Sequence, residues 1–592
     1  MAMDNALVKS FILRRGYDRD FLSRLDAVDG SRMIAGLDRC SALIASAVRT
    51  RSEIGVFCDF DTDGISSLLV ICSSLAAMGA DFVPWFADPS AGYGLRPQDV
   101  RAMKEAHPGI RVLLTADVGI SADEAVKEAG RLGIMTVVTD HHQKDSPDRP
   151  ATAWADPSLP EDPYPYTVCG AHVAADLMGR VADDLCVTDG VRRKVRLSRK
   201  IAGIGARGDV MPCSGPSRAD SRDAVALCKF LLMSEDADLD DGGLWGRVML
   251  GLRTLLLHVT QLEADGSPRR YPKAPQDFSE TDIDMVLSPM LNSMRRTGND
   301  LASIRDLVWA GDAEGRAEAA ARIAAMNEER KERVAAAMEA LVAQDQPMAP
   351  LVYVDREGAC EGSFVGLVAN KLMGESGSPC LVLIERQDGT LSGSGRAPGG
   401  RDLRSRLVAQ SILAQGHGPA FGVSMEPGRL DDAWRVVAAI AEEVEAERDD
   451  DPFCAIDVLI APGDDGISPY VPGSDVLWHV DDLVTACRRM APFGPGFERP
   501  VAAVVFTVDG TERLSLMGSE KEHAKWALSD GTQAILWRGA EQASGVREGQ
   551  TVAVVGECAV NRFRGRSCAQ VSGEVLLLDD DARSLVDAFR SL

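Results

Sequence analysis

Ile54-Gly55-Val56-Phe57-Cys58, followed directly by Asp59-Phe60-Asp61-Thr62-Asp63-Gly64, is the stretch that decides the fold class. The first five residues are apolar or small, and they predict a buried β-strand. The apolar residues from Ile65 to Ala77 predict a helix, which the chain can enter through a tight turn at Gly64. A strand that leads straight into a helix is typical of the first half of a βαβ unit.

The same alternation of strand and helix continues along the chain. Strands are predicted at Val112–Ala116 and Met135–Thr139, and a helix over Ala122–Leu132 separates them, with Ser121 as its cap. This order predicts a parallel α/β sheet. In such a sheet, ligands bind beyond the carboxyl ends of the strands.

Acidic residues directly follow each of the three predicted strands. After the first strand, aspartates at alternate positions 59, 61 and 63 can aim hard oxygen ligands at a divalent cation. An EF-hand calcium loop is the alternative interpretation of this DxDxDG pattern, but Val70 stands where that loop needs a glutamate. The second strand runs into Asp117, and the third runs into Asp140-His141-His142. Imidazole suits a transition metal better than calcium.

Together these strand ends predict a site for two cations. Asp117 and Asp209 are ordinary helix-capping residues when each is taken alone, so the prediction depends on the whole set. Several carboxylates and one or two imidazoles can hold two cations about 3.5–4 Å apart, and such a pair favours in-line displacement at phosphorus. The oxygen-rich ligands favour Mn²⁺ or Mg²⁺ over structural zinc. The residues alone leave the substrate of this metal-dependent phosphoester chemistry open.

Four motifs occur in a fixed order along the first half of the chain. This set resembles the four motifs of the DHH phosphoesterase superfamily, and it is specific as a set although no single motif is. The motifs are CDFDTDG (58–64), ADVGIS (116–121), TDHHQ (139–143) and ARGDV (206–210).

Further segments extend this resemblance nearly to the end of the chain. Two of them resemble elements of the DHH-associated domain, DHHA1, namely SGSGR (392–396) and QGHG (415–418). Three others resemble segments of the RecJ family of single-stranded DNA exonucleases, namely GYGL (92–95), LSPMLN (287–292) and PFGPG (492–496). Gln415, Met290 and Phe497 depart from the residues usual in those segments.

The resemblance implies a role for each matching position. It implies that His142 contacts the scissile phosphate or assists the leaving group, and that Asp140 orients an imidazole. It implies metal ligation, with Asp117 bridging, by Asp59, Asp61, Asp63, Asp117, His141 and Asp209. It implies binding of DNA phosphates by Ser394, Arg396 and His417.

The resemblance also implies a domain order and a fold class. The expected α/β fold has a parallel-sheet DHH domain, a long connecting helix, a smaller α/β DHHA1 domain and a C-terminal OB-like β-barrel. The expected limits are an N-terminal extension 1–50, a catalytic domain 51–225, a helical insert and connecting helix 226–345, a DHHA1 domain 346–450, a connector 451–490 and an OB-like domain 491–592. The long helix is predicted over Asp312–Ala343. Expected contributors to strand binding by the barrel are Lys521, Lys525, Trp526, Trp537, Arg538, Arg562 and Arg564.

The implied activity is that of a two-metal exonuclease that degrades single-stranded DNA from 5′ to 3′ into mononucleotides, in DNA repair or recombination. Two Mn²⁺ or Mg²⁺ ions are the expected cofactors, and a helicase or single-strand-binding protein is a possible partner. One alternative is a DHH-family phosphodiesterase for short oligonucleotides or cyclic dinucleotides. Another is a non-catalytic single-strand-binding relative. The C-terminal barrel argues against the first alternative, and the complete ligand set argues against the second.

Composition limits how such a protein can bind nucleic acid. The chain has 592 residues, with 64 Lys and Arg against 89 Asp and Glu, which gives a net charge of −25. Any contact with nucleic acid must therefore use a local basic channel. The 13 cysteines form no CxxC pair, and no apolar run is long enough for a transmembrane helix. We expect reduced thiols, no membrane partner and a cytoplasmic location.

Overall fold

The computed structural model describes Val8, Ile12, Arg15 and residues 20–30, 32–86, 94–144, 146–270, 272–297, 301–449, 456–463, 466–470, 480–510, 512–518, 520–529, 531–563 and 566–591. The chain forms two compact units. The larger unit comprises residues 1–295, 299–324 and 453–592, and the smaller unit comprises residues 296–298 and 325–452.

A five-stranded sheet forms the centre of the N-terminal part of the larger unit. Its strands are β1 (Glu53–Cys58), β2 (Phe82–Trp85), β3 (Ile110–Ala116), β4 (Met135–Thr139) and β5 (Ala153–Ala155). All neighbours are parallel in the order β2-β1-β3-β4-β5. The predicted parallel sheet is therefore confirmed, and β1, β3 and β4 end at neighbouring positions on one edge.

Helices cover this sheet and continue beyond it. They are α1 (Phe21–Leu25), α2 (Leu37–Arg49), α3 (Thr62–Ala77), α4 (Pro97–Ala106), α5 (Asp123–Arg131), α6 (Gly170–Asp184), α7 (Asp189–Arg199), α8 (Ala202–Gly208), α9 (Gly215–Met233), α10 (Asp236–Leu239), α11 (Leu244–Thr260), α12 (Glu280–Asp282), α13 (Ser288–Thr297) and α14 (Ala302–Trp309). The predicted cap at Ser121 is wrong. Helix α5 begins at Asp123, and Ala122 precedes it without a side-chain cap, because Ala122 N–H donates to Gly119 O in a turn.

The predicted long helix is confirmed as α15 (Ala313–Val342), which contains 30 residues. The sheet of the smaller unit comprises β6 (Val352–Asp355), β7 (Cys380–Glu385), β8 (Leu391–Arg396), β9 (Leu413–His417) and β10 (Ala420–Met425), in the order β6-β7-β8-β10-β9. Its helices are α16 (Val365–Ser376), α17 (Leu403–Ala409) and α18 (Leu430–Asp449). The SGSGR segment lies in β8, so it is a strand rather than a flexible loop.

The C-terminal part of the larger unit contains an eight-stranded sheet. Its strands are β11 (Val458–Gly463), β12 (Gly466–Tyr470), β13 (Val501–Thr507), β14 (Arg513–Met517), β15 (His523–Ala527), β16 (Gln533–Leu536), β17 (Thr551–Phe563) and β18 (Arg566–Leu578). Their order is β12-β11-β13-β17-β18-β16-β15-β14. The accompanying helices are α19 (Val480–Met490), α20 (Ala540–Ser544) and α21 (Asp579–Ser591). The residues expected as a connector, 451–490, thus include two strands of this sheet.

The C-terminal sheet packs directly on the N-terminal part of the same unit. The guanidinium of Arg218 is fully buried and donates to Asp26 Oδ1 at 2.7 Å, to Met490 O at 2.6 Å and to Pro492 O. It also lies 4.8 Å from the centre of the Phe497 ring. One buried cation therefore fixes the segment that enters the sheet. Within the described part of the chain, no helix has the length and apolar character needed to cross a membrane.

Candidate metal centre

The loop after β1 presents three aspartates, and each has different surroundings. Asp61 caps helix α3, because its Oδ1 accepts from the N–H groups of Asp63 and Gly64 at 2.9 and 3.0 Å. Asp63 lies in the first turn of that helix and is 1% exposed. Asp59 is also buried, and its Oδ1 has no hydrogen-bond partner among the described residues. The turn between β1 and α3 thus places the carboxylates of Asp59, Asp61 and Asp63 close to one another.

The amino terminus of helix α6 holds the carboxylate of Asp63. The N–H of Gly170 donates to Asp63 Oδ2 at 2.6 Å, and the N–H of Ala171 donates to Oδ1 at 3.0 Å. Free amides at a helix start favour negative charge. Two glycines allow the close packing of helices α6 and α8 around Asp63 and Asp117. A Cβ at Gly170 would lie 2.6 Å from Asp117 Cβ, and one at Gly205 would lie 2.3 Å from Asp63 Oδ1.

His141 lies among carboxylates from three parts of the fold. Its Nε2 is 3.1 Å from Asp117 Oδ1, 3.7 Å from Asp63 Oδ2 and 3.7 Å from Asp209 Oδ2. Asp117 follows β3 with a left-handed backbone, at a φ of 59°, a region that aspartate tolerates better than most residues. Asp209 ends helix α8. Parallel pairing of β1, β3 and β4 therefore brings Asp63, Asp117 and His141 together, and the end of helix α8 adds Asp209.

Asp140 orients the next part of the site. Its Oδ1 is 2.7 Å from His142 Nδ1 and accepts from the N–H of His141 at 2.8 Å, while its Oδ2 accepts from the N–H of Ile120 at 2.9 Å. These contacts use both oxygens of Asp140. The side chain of His142 is 41% exposed, so the carboxylate fixes an imidazole that still faces solvent.

The possible ligand atoms form three overlapping sets, each with its atoms within 4.8 Å of one another. Asp117 and His141 each belong to two sets, so the sets form one cluster. All six predicted ligands lie in it, together with His142. The sets are Asp59, Asp61 and Asp117; Asp63, His141 and Asp209; and Asp117, His141 and His142.

The electrostatics of this cluster fit a site for divalent cations. Burial, followed by repulsion from neighbouring carboxylates, raises the pKa of Asp59 to about 7 and that of Asp209 to about 8. The same causes raise the pKa of Asp117 well above its ordinary value. Burying several carboxylates together is costly unless positive charge compensates them. A hard divalent cation supplies that charge, and the unpartnered Asp59 oxygen is a suitable ligand.

The hydrogen bond from His142 to Asp140 accounts for the protonation of that imidazole. This bond raises the pKa of His142 to about 9. Burial tends to raise the pKa of Asp140, but the contacts with His142 and Ile120 bring it below its usual range. The two side chains therefore form a charge-assisted pair at the rim of the cluster.

The predicted phosphate-binding residues lie in the smaller unit. Ser394 lines a cavity of about 480 Å³, together with Arg296 and Arg386, which the sequence did not single out. Arg396 is not on that wall, because its Nη1 donates to Ser394 Oγ at 2.6 Å and to Gly395 O at 2.7 Å. Burial lowers the pKa of Arg396. His417 ends β9, and its side chain lies outside the described residues.

The residues expected to bind the strand in the C-terminal domain differ in their exposure to solvent. Trp526 is 2% exposed and packs in the core of the C-terminal sheet, so its prediction as a strand-stacking residue is wrong. Trp537 is 38% exposed, and its ring lies 4.9 Å from that of His523. Gly92, Tyr93, Arg564 and the side chain of Arg562 lie outside the described residues.

Several supporting residues were missed by sequence reasoning. The glycines and amides around Asp63 come from α6 and α8, and no local pattern marks them. Asn292 was quoted within LSPMLN but not given a role. Its Oδ1 accepts from the N–H of Thr62 at 2.9 Å, and Thr62 Oγ1 donates to Ser288 O at 3.1 Å. Helix α13 thereby supports the loop of the first motif.

Comparison with known proteins agrees with this arrangement. Residues 53–208 match the family described as "DHH family, N-terminal domain", and residues 479–574 match the "RecJ OB domain". The chain therefore contains a DHH-family domain and a RecJ OB domain. The fold class and the family predicted from the motifs are thus confirmed.

Two curated relatives carry the name single-stranded-DNA-specific exonuclease RecJ. The protein from Bacillus subtilis (strain 168) is 25% identical over 588 residues, which cover 95% of this chain and 67% of the relative. The protein from Dickeya dadantii (strain 3937) is 25% identical over 607 residues, which cover 95% of both chains. The similarity to the second protein therefore extends over nearly its whole length.

A solved structure has the same fold. The crystal structure of RecJ from Thermus thermophilus in complex with Mn²⁺ superimposes with a TM-score of 0.68 at 19% sequence identity. The match covers 97% of this chain and 76% of the other. At 19% identity this match shows that the two chains share a fold.

Proposed function

We propose that the protein is a metal-dependent exonuclease that degrades single-stranded DNA from 5′ to 3′ and releases mononucleotides, in DNA repair or recombination. The observation that carries the proposal is the cluster in which Asp117 belongs both to a set of three aspartates and to a set with imidazoles. The names of the curated relatives and the match to a RecJ OB domain support DNA as the substrate.

The cluster fits two Mn²⁺ or Mg²⁺ ions. Asp59, Asp61, Asp63, Asp117, His141 and Asp209 would hold them, with Asp117 shared. When bound, the cations supply positive charge and a nucleophilic water for in-line displacement at phosphorus. Oxygen ligands predominate, and this favours these two ions over structural zinc.

The protein's own residues organise the chemistry around that centre. The amides of Gly170 and Ala171 fix the carboxylate of Asp63, so the ligand does not reorganise when a cation binds. Asp140 holds Nδ1 of His142, which leaves the ring edge available to a phosphate oxygen or to the leaving 3′ oxygen. In this proposal Asp140 is a positioning residue, and His142 is the group that touches the substrate.

The remaining assignments follow from the placement of the elements. We assign the chemistry to the catalytic domain, residues 51–225. We assign strand binding to the OB-like domain, residues 491–592, together with the strands β11 and β12. Arg396 and His417 would bind phosphate in the smaller unit, and Ser394, which accepts a hydrogen bond from Arg396, would help them. A cytoplasmic setting and cooperation with a helicase or single-strand-binding protein belong to the same proposal.

The test is a nuclease assay with strand polarity as its readout. Single-stranded DNA labelled at the 5′ or at the 3′ end is incubated with Mn²⁺, and blunt duplex and EDTA serve as controls. The proposal predicts immediate release of labelled mononucleotide from the 5′ label and a ladder of shortened products from the 3′ label. Cleavage of dinucleotides alone would replace it with a small-substrate phosphodiesterase, and binding without cleavage would replace it with a non-catalytic relative.

A further inference from the structure

The carboxylate of Asp209 is placed differently from those of Asp61 and Asp63. Asp63 is held by two amides of helix α6, and Asp61 caps helix α3. Asp209 accepts no hydrogen bond from the described residues, and its Oδ2 lies 3.7 Å from His141 Nε2. The position of this carboxylate therefore depends on the backbone that carries it.

The backbone next to Asp209 has an unfavourable conformation. We name residues 209–214, between helices α8 and α9, the Asp209 loop. Val210, directly after the predicted ligand, has a φ of 55° and is 66% exposed. A β-branched residue is rare in this left-handed region, and it persists there only where the surrounding structure holds it. Contacts from outside the Asp209 loop must therefore fix its course.

A segment of the C-terminal part of the chain packs against this loop. We name residues 490–497, which lead from helix α19 towards strand β13, the entry segment. The rings of Phe493 and Phe497 are buried in the core of the C-terminal sheet and stack with their centres 5.5 Å apart. The entry segment therefore offers its backbone carbonyl groups at fixed positions.

Two sets of contacts join the entry segment to the Asp209 loop. At the start of the loop, Arg207 Nη1 donates to the carbonyl of Phe493 at 2.8 Å. Near its end, the N–H of Cys213 donates to Pro495 O at 2.7 Å, and Cys213 Sγ donates to Pro492 O at 3.2 Å. The Asp209 loop is thus held on both sides of the predicted ligand.

Arg207 is the residue of this contact that stands nearest to Asp209 in the chain. Its side chain is 7% exposed, and its Nε donates to Asp284 Oδ1 at 2.8 Å. A Cβ at Gly494 would lie 2.6 Å from Arg207 Nη1, so that glycine makes room for the guanidinium. Arg207 thus uses its donors within the protein, as expected of a residue that positions others.

We propose that Arg207 is a positioning residue for Asp209, and that the entry segment of the C-terminal sheet acts through Arg207 on the metal centre. The inference rests on the proposed function, in which Asp209 is a metal ligand. It gives the C-terminal sheet a second task besides strand binding. Residues that support a ligand from behind typically change metal affinity by about 10–100-fold when they are replaced.

Arg15 provides a matched control. Its Nε donates to Asp457 Oδ1 and its Nη1 donates to Glu498 O, both at 2.9 Å. Arg207 makes the same two kinds of contact, one with a carboxylate and one with a backbone carbonyl, but it stands directly before the Asp209 loop. Arg207→Met and Arg15→Met each remove one cation, so the two variants change the net charge equally.

The experiment measures Mn²⁺ binding to the full chain by calorimetry in the absence of DNA. Urea unfolding of each variant verifies that the fold is retained. We expect Arg207→Met to bind Mn²⁺ on the order of tenfold more weakly than the wild type, and Arg15→Met to bind it with wild-type affinity. Gly494→Ala disturbs the same contact from the entry segment and is expected to weaken Mn²⁺ binding as well.

Wild-type Mn²⁺ affinity in Arg207→Met, or equal losses in Arg207→Met and Arg15→Met, would overturn the inference. If Arg207→Met does not fold, wild-type affinity in Gly494→Ala would overturn it instead. Mn²⁺ binding that depends on Arg207, without any cleavage of DNA, would refute the exonuclease and leave this role in place. Cleavage of DNA with equal Mn²⁺ affinity in all variants would refute this role and leave the exonuclease in place.

Discussion

Substitution of Gly205 by alanine tests whether packing around Asp63 sets the metal centre. The new Cβ would lie 2.3 Å from Asp63 Oδ1, 3.0 Å from Ala171 Cβ and 3.3 Å from Asp63 Cα. Real Cβ atoms essentially never approach a neighbour more closely than 3.0 Å. The carboxylate must therefore move by roughly 1 Å, or helix α8 must shift.

The size of the effect follows from that displacement. Forcing one extra methyl group into a tight interior typically costs about 1–3 kcal/mol. The better helix propensity of alanine returns up to about 1 kcal/mol, so the net loss of stability is expected to be small. A shift of about 1 Å in a positioned group can cost about 10²-fold in activity. We therefore expect metal affinity and activity to fall far more than stability.

The assay compares Gly205→Ala with Gly179→Ala. Gly179 lies within the neighbouring helix α6, and a Cβ there would meet no atom of the described residues within 4 Å. Mn²⁺ binding is followed by calorimetry, and unfolding is followed by circular dichroism. Gly179→Ala is expected to bind Mn²⁺ like the wild type and to be slightly more stable. Wild-type Mn²⁺ affinity in Gly205→Ala would refute the argument that the glycine spaces Asp63.

Three further predictions concern stability. Burial alone would lower the pKa of His172. That pKa is instead raised to about 10 by the charges of Asp220, whose Oδ2 lies 2.5 Å from His172 Nδ1, and of Asp176. The stabilisation of the folded state by protonated His172 is fully present below about pH 6.5, the pKa of histidine in the unfolded chain. It is lost as the pH rises through about 10. In urea unfolding, the wild type should lose more stability than His172→Gln between pH 7 and pH 10, and parallel losses would contradict the ion pair. Arg218→Met should destabilise the chain by about 2–4 kcal/mol, because it leaves the carbonyl groups of Met490 and Pro492 without their buried donor. An unchanged urea midpoint in that variant would exclude this role. Mn²⁺ at 100 times its dissociation constant should stabilise the wild type by about 2.7 kcal/mol, and EDTA should reverse the shift. A Mn²⁺-independent unfolding curve would exclude the metal centre.

Local sequence patterns predicted the framework of the site well. The strands β1, β3 and β4 alternate with helices, and each ends at an aspartate, so a parallel sheet necessarily places Asp59, Asp117 and Asp140 on one edge. This relation needs only chain order and parallel pairing. The grouping of His141 with those carboxylates follows from the same geometry.

Contacts between distant segments could not be predicted in the same way. The N–H of Gly170 donates to Asp63 across 107 positions of sequence, and no sequence pattern near either residue predicts this hydrogen bond. The burial of Trp526 depends on which face of a strand turns inward, and aromatic residues suit either face of a nucleic-acid-binding sheet. The failed cap at Ser121 has a local cause, because the turn from Gly119 to Ala122 places the helix start later.

Two strand-end aspartates of the same sheet allow the metal centre to be tested directly. Asp117 lies within the cluster, whereas Asp156 follows β5, is equally buried and belongs to none of the ligand sets. Asp117→Asn and Asp156→Asn are assayed for mononucleotide release from 5′-labelled single-stranded DNA in Mn²⁺ and for binding of the same strand. We expect a loss of activity on the order of 10³-fold or more for Asp117→Asn, with binding retained, and near wild-type activity for Asp156→Asn. Equal activities of the two variants would contradict this expectation.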